Sequence, residues 1–286
     1  GEIAMKNILK IMLMMITIYT ITGSAVYAAE IPVSDQDQLI TSRDWTEISN
    51  LQDEMKKEEP DATIDYDKAL KVYVDCNLIK LQTADTKKLT SALESANYVW
   101  VIPFKMEKTY GMFTVAKGLP LSEEAKSVLT KAEQEEVKNH AGKWMITETA
   151  EHTVEPYYDI LLEKREALSD CTRVVLVGSQ PGMRQPVALG MDDETARIWI
   201  SLGYQYPVME KIPETQNVES GVYSFDSVAE ISDTYIEDSE VSTGAGVQSR
   251  SSMKYVAGIG IIVIGSILIL SVLKKKKLEQ SGDMSR

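Results

Sequence analysis

The sequence predicts an α+β fold: a mostly antiparallel sheet with helices packed on one face, followed by a flexible stalk and one C-terminal transmembrane helix. Three observations carry this prediction. Stretches beginning at Asp85 and Ser122 repeat apolar residues at helical spacing. Three strand-like runs, Arg173 to Val177, Pro186 to Met191 and Ala196 to Leu202, are separated by Gly, Pro, Gln or Asp-Asp connections. These are too short for crossover helices, which favours a meander over a doubly wound parallel sheet. Finally, Val256 to Leu273 contains no charge, and as a helix it spans roughly 27 Å, close to the hydrocarbon thickness of a bilayer.

In chain order, residues 1–28 read as a signal peptide with upstream residues. Lys6 and Lys10 supply the basic region, Ile11 to Ile21 the apolar one, and Val26-Tyr27-Ala28 the small residues before a cut after Ala28. The alternative is an uncleaved anchor, because Ile8 to Ala29 nearly spans a bilayer; either way the lysines keep the N-terminus inside. Residues 29–231 form the extracellular domain. Trp45, Ile48 and Leu51 give a helix between Asp44 and Lys57, while Ile64 to Val74 suits either a strand or a helix. Asp85 caps a helix that turns Leu89, Ala92, Leu93 and Ala96 inward. Tyr98 to Ile102 and Tyr110 to Ala116 read as a hairpin.

Ser122 caps a second helix with Ala125, Val128, Leu129 and Ala132 inward and Gly142 as its stop, followed by a strand from Lys143 to Thr149. Pro156 opens a helix with Tyr157, Ile160, Leu161 and Leu168 on its buried face. After the meander a short element runs from Ser224 to Ile231. Residues 232–254 are acidic and Ser/Gly-rich, a stalk with an r.m.s. reach of roughly 25 Å. Residues 255–273 are the transmembrane helix and residues 274–286 a short basic tail, whose Lys274 to Lys277 hold it in the cytoplasm.

The chain carries a net charge of −13, and because both ends are basic the portion between them is more acidic still. Such a surface repels phosphate backbones, so nucleic acid is excluded as a partner. Cys76 and Cys171 are the only cysteines. Export permits a disulfide between them, worth about 4 to 5 kcal/mol in the chain-entropy model; two buried free thiols are the alternative. None of the six asparagines stands two residues before Ser or Thr, so no glycosylation acceptor is present. The layout of leader, acidic exterior, single span and basic tail resembles single-pass surface proteins of Gram-positive bacteria; the resemblance covers the two ends only.

No constellation of residues spells a reaction, and no metal or cofactor is implied. His140 and His152 lack the spacing of a zinc site, and the acidic turn around Glu148, Glu151 and Glu155 reads as solvated. Gly178-Ser179-Gln180-Pro181-Gly182 has the wrong spacing for a nucleophile elbow and reads as a hairpin loop. Ser251-Ser252-Met253-Lys254 matches Ser-x-x-Lys by coincidence. Asp192-Asp193-Glu194 and Glu237 to Glu240 lack the grammar of a calcium loop. The expected role is that of a membrane-anchored extracellular domain binding a protein or surface polymer, with the lipid bilayer as partner of the C-terminal helix. An exported hydrolase acting on a wall or surface substrate, and an accessory or sensing subunit of a membrane complex, are the alternatives.

Overall fold

The computed structural model describes residues 31–232 apart from 153, 179, 181, 182, 184, 205, 207 and 214–216. The predicted leader and transmembrane span, and all of the predicted stalk but Ser232, lie outside these residues. No helix among the described residues is long and apolar enough to cross a membrane.

One sheet of ten strands organises the domain: β1 (Thr63–Ile64), β2 (Leu70–Val74), β3 (Asn97–Lys105), β4 (Tyr110–Lys117), β5 (Trp144–His152), β6 (Arg173–Val177), β7 (Val187–Met191), β8 (Ala196–Ile200), β9 (Asn217–Glu219) and β10 (Val222–Ser224). Across the sheet the order is β5-β4-β3-β2-β6-β7-β8-β10-β9, with β1 beside β3. Isolated bridges aside, every pairing between these strands among the described residues is antiparallel except β2 with β6. That single parallel joint fuses two antiparallel units, the hairpins of β2 to β5 and the meander from β6 onward.

The helices follow their local signals closely. The predicted segment after Asp44 forms α1 (Trp45–Ile48) and α2 (Gln52–Glu58), joined by a 3-10 turn. The next helix, α3 (Thr86–Glu94), begins where Asp85 accepts hydrogen bonds from the backbone N–H groups of Lys87 and Lys88, and it buries Leu89 and Leu93. The helix expected after Ser122 is instead two: α4 (Glu123–Val128) and α5 (Lys131–His140). Thr130 starts the second with a capping box, its hydroxyl facing the Glu133 backbone and the Glu133 carboxylate returning to the Thr130 N–H. Val128, the last residue of α4, is 69 % exposed and Ala132 of α5 is also exposed, against the inward placement read from their spacing. The chain continues through α6 (Tyr157–Glu163), and the described residues close with α7, residues 225–232.

Helices cover both faces of the sheet rather than the one expected. Register puts Lys71 opposite Trp100 and Tyr73 opposite Tyr98, and paired residues share a face. On that face α1 and α2 cover Trp100, Ile102, Phe113 and Val115, while α3 and α7 cover Tyr73, Val175, Leu189 and Trp199. On the opposite face Tyr157 and Leu161 of α6 pack against Val72, Val174 and Leu176. The reason lies in β6 and β7, whose apolar runs are buried on both sides and so need cover on both. Cys76 belongs to the α3 cluster and Cys171 to the α6 cluster, each as a separate buried thiol. Burial pushes both thiols up to about 11, with Asp75 adding to the shift at Cys76 and Asp192 at Cys171.

Candidate functional site

The α4–α5 excursion leaves the sheet at the end of β4 and returns to begin β5, so it stands over one end of the four strands β2 to β5. Its return is pinned by backbone bonds from Gly118 N–H to the Lys143 carbonyl (2.9 Å) and from Gly142 N–H to the Gly118 carbonyl (2.8 Å). Gly142 turns there with φ +75°, a conformation that glycine adopts without steric cost. Within α5, Glu133, Val137 and His140 recur at i, i+4 and i+7 and, with Gln134 beside them, are the half-buried face of the helix.

Between α5 and the strand ends lies a groove of about 580 Å³. Val99, Ala116 and Met145 sit directly opposite one another on adjacent strands, forming one row on the face that α6 covers further along. They line the groove with Val137 above them, and Leu119 and Pro120 close one side. The groove also reaches Tyr98 and Trp144, which stand on the other face with Arg43, Asp44 and Glu47 at its rim. Trp144 is only 6 % exposed, and its indole Nε1 is buried without a hydrogen-bond partner among the described residues. A second lining residue, Asp75, holds a left-handed backbone (φ +59°). One of its carboxylate oxygens accepts from the Asn97 side chain at 3.0 Å, whereas the other is buried without a partner among the described residues.

Beneath this rim is a network built on the same face. Tyr98 donates its hydroxyl to Asp44 at 2.9 Å, and Trp100 donates its indole N–H to the same oxygen at 3.1 Å. The Tyr98 ring packs against Trp100 (centroids 6.3 Å), Trp144 (5.8 Å) and Tyr73 (6.4 Å). The Lys71 ammonium lies under these rings, 4.7 Å from the Tyr98 centroid and 5.3 Å from that of Trp100, an attraction to the negative ring faces. It also donates to the Gln36 carbonyl and stands 3.4 Å from Asp37. Burial pulls Lys71 below the usual lysine range, against the pull of Asp37 and Asp44 in the other direction.

Asp37 is the anion of this network and is 2 % exposed. It accepts from Ser34 (2.6 Å), Tyr73 (2.7 Å) and Arg173 (3.0 Å). Burial raises its carboxyl, but these hydrogen bonds and the Arg173 charge together hold it below the ordinary carboxylate value. The result ties residues 34–37 to β2 and β6 and fixes the platform on which Tyr98 rests. Tyr98 itself is pushed up, mainly by burial and further by Asp44.

Of the residues singled out in the sequence, His140 lines the groove, whereas His152 pairs with Tyr110 at the far end of β5, so the two histidines are not brought together. Among the described residues no cluster of three or more His, Cys, Asp or Glu is arranged to hold a metal. Gln180, in the connection after β6, is buried; it accepts from Leu78 N–H (2.9 Å) and donates to the carbonyls of Cys76 and Gly178. This fastens one loop to another. Asp192 accepts from the N–H groups of Glu194 and Thr195 and pairs with Arg197, the geometry of a turn between β7 and β8. The groove residues Tyr98, Trp144, Asp44 and Val137 were missed as a site because they are dispersed over four elements. Thr130-x-x-Glu133 was the one local signal that would have located α5. The arrangement offers apolar contact, carboxylates and two unmet hydrogen-bonding atoms; it is suited to binding. Compared with known family models, curated proteins and solved structures, the chain matches none.

Proposed function

We propose that this chain is a membrane-anchored extracellular domain that binds a protein or a surface polymer through the groove beneath α5. The observation that carries the reading is the groove itself: half-buried apolar residues from β3, β4, β5 and α5 line it, with carboxylates around them. A concave, mostly apolar surface with a few convergent polar groups is the usual form of a recognition site. The leader, the uncharged run from Val256 and the lysines after it support the address.

A photo-crosslinking amino acid placed at Val137 in the full-length protein on intact cells tests the proposal. Capture of one defined surface component, absent when the probe stands at exposed Lys131, is the expected result. Identical products from both positions, or none, refute the groove as the binding surface. An exported hydrolase is the second reading, favoured by carboxylates reaching the groove from two elements, Glu47 on α1 and Glu136 on α5. Release of soluble fragments from isolated cell walls, lost in Glu136→Gln, would replace the binding reading with this one.

A further inference from the structure

We propose that the ligand of the groove is a cationic peptide segment, an extended run in which lysine or arginine side chains alternate with apolar ones, presented by a partner protein. The proposal rests on the groove being a binding site. Its lining carries five carboxylates, Asp44, Glu47, Asp75, Glu133 and Glu136. Among the described residues two permanent cations line the groove, Arg43, which lies 3.9 Å from Asp44, and Lys117, whose ammonium lies over the Trp144 ring, with Lys71 beneath Asp44. Asp44 and Glu133 already accept from Tyr98 and Trp100 and from Thr130, so Glu47, Asp75 and Glu136 supply the outward negative charge. The local field therefore attracts positive charge, while the row Val99–Ala116–Met145 and Val137 demand apolar contact.

The unmet polar atoms narrow the chemistry further. Trp144 Nε1 is a buried donor that needs an acceptor, and the free oxygen of Asp75 is a buried acceptor that needs a donor. A peptide backbone supplies a carbonyl for the first, and its N–H or a lysine ammonium serves the second. A neutral polysaccharide offers hydroxyls for both but brings no positive charge and little apolar surface. A small apolar amine brings the charge but lacks the regularly spaced carbonyls. The peptide alone meets the charge, the apolar row and both orphan atoms together.

The test uses the full-length protein in mild detergent and fluorescence anisotropy with labelled peptides. The probes are Leu-Lys-Val-Lys-Leu, its glutamate and serine counterparts, and chitotetraose as a competitor. Binding of the lysine peptide alone, weakening with added salt and unaffected by chitotetraose, is expected. Glu136→Lys, at an exposed position that leaves the fold intact, should weaken it by about fivefold or more, whereas Glu163→Lys on α6 should not. Equal binding of the serine or glutamate peptide, or no response to salt and Glu136→Lys, overturns the cationic ligand. Failure of every peptide while the Val137 probe still captures one surface component also overturns it but leaves the binding function standing; failure of both removes the two together.

Discussion

Asp37→Asn is the substitution that most directly tests how the domain is held together. The carboxylate is 2 % exposed and faces Lys71 and Arg173, whose side chains are 10 % and 17 % exposed. Asparagine keeps the shape and one acceptor oxygen but leaves two largely buried cations without a counter-charge. Breaking a buried pair from one side costs about 3 to 5 kcal/mol; because an amide oxygen in the place that accepts from both Ser34 and Arg173 keeps two of the three hydrogen bonds, the lower figure applies. A loss of about 3 kcal/mol is a large part of the 5 to 15 kcal/mol typical of a domain. At a urea dependence of about 2 to 3 kcal/mol per molar, the unfolding midpoint falls by about 1 to 1.5 M. The fluorescence of Trp100, Trp144 and Trp199, all buried, reports the transition. Because the Asp37 carboxyl lies below its ordinary value in the folded state, its stabilisation is complete above about pH 4 and drains away as pH falls through the lowered value. The asparagine variant should lack that portion of the acid dependence. Lys71→Met is the control, expected within about 1 kcal/mol of the parent, since Arg173 still pairs with Asp37 and burial no longer disfavours a charge. A midpoint shift below about 0.3 M for Asp37→Asn, or an unchanged acid limb, would refute this account of the network.

Three further outcomes follow from the geometry. Tyr98→Phe removes one of the two donors to the shared Asp44 oxygen and should destabilise the domain by about 1 to 2 kcal/mol in the same urea assay; no change would mean that water or Arg43 replaces it. Both cysteines should resist Ellman's reagent in the native protein at pH 8 and titrate fully in guanidinium without reductant, since each is a buried free thiol raised to about 11. Titration only after reduction would demonstrate a bridge instead. In Gly118→Ala the added Cβ would overlap the backbone carbonyl of His140, so the end of α5 must move, at a cost of about 1 to 3 kcal/mol. Limited proteolysis should then cut within residues 121–141 faster than in the parent, and an unchanged cleavage rate would argue against this docking of α5.

Much of the fold was legible because its signals are local. Asp85 caps α3 as its position before an apolar-periodic run suggested, and the three runs after Cys171 are β6, β7 and β8 with the expected antiparallel pairing. The Ser122 segment was misjudged for an equally local reason. Leu129 continues the apolar spacing of α4, yet the capping box at Thr130 competes with it and wins, because it satisfies helix-end donors that a continuous helix would not expose. The short β9–β10 hairpin escaped notice because Asn217 to Ser224 has weak strand character, and its place on the sheet comes from pairing with β8.

By itself, the sequence determined the α+β class, the helix starts at Asp85, Ser122 and Pro156, the meander and the acidic character, all of which depend on neighbours a few residues apart. Tertiary structure alone decided which elements meet. The parallel joint of β2 to β6 brings Tyr73 within reach of Arg173, a hundred residues later, and lets Asp37 bind both. The same joint explains why helices cover both faces, since it places β6 and β7 in the sheet interior where neither side can be left to solvent. The groove likewise draws on α1, β2 to β5 and α5, each contributing a few ordinary residues. No spacing rule joins such residues, because their proximity arises from strand pairing and helix packing over long separations.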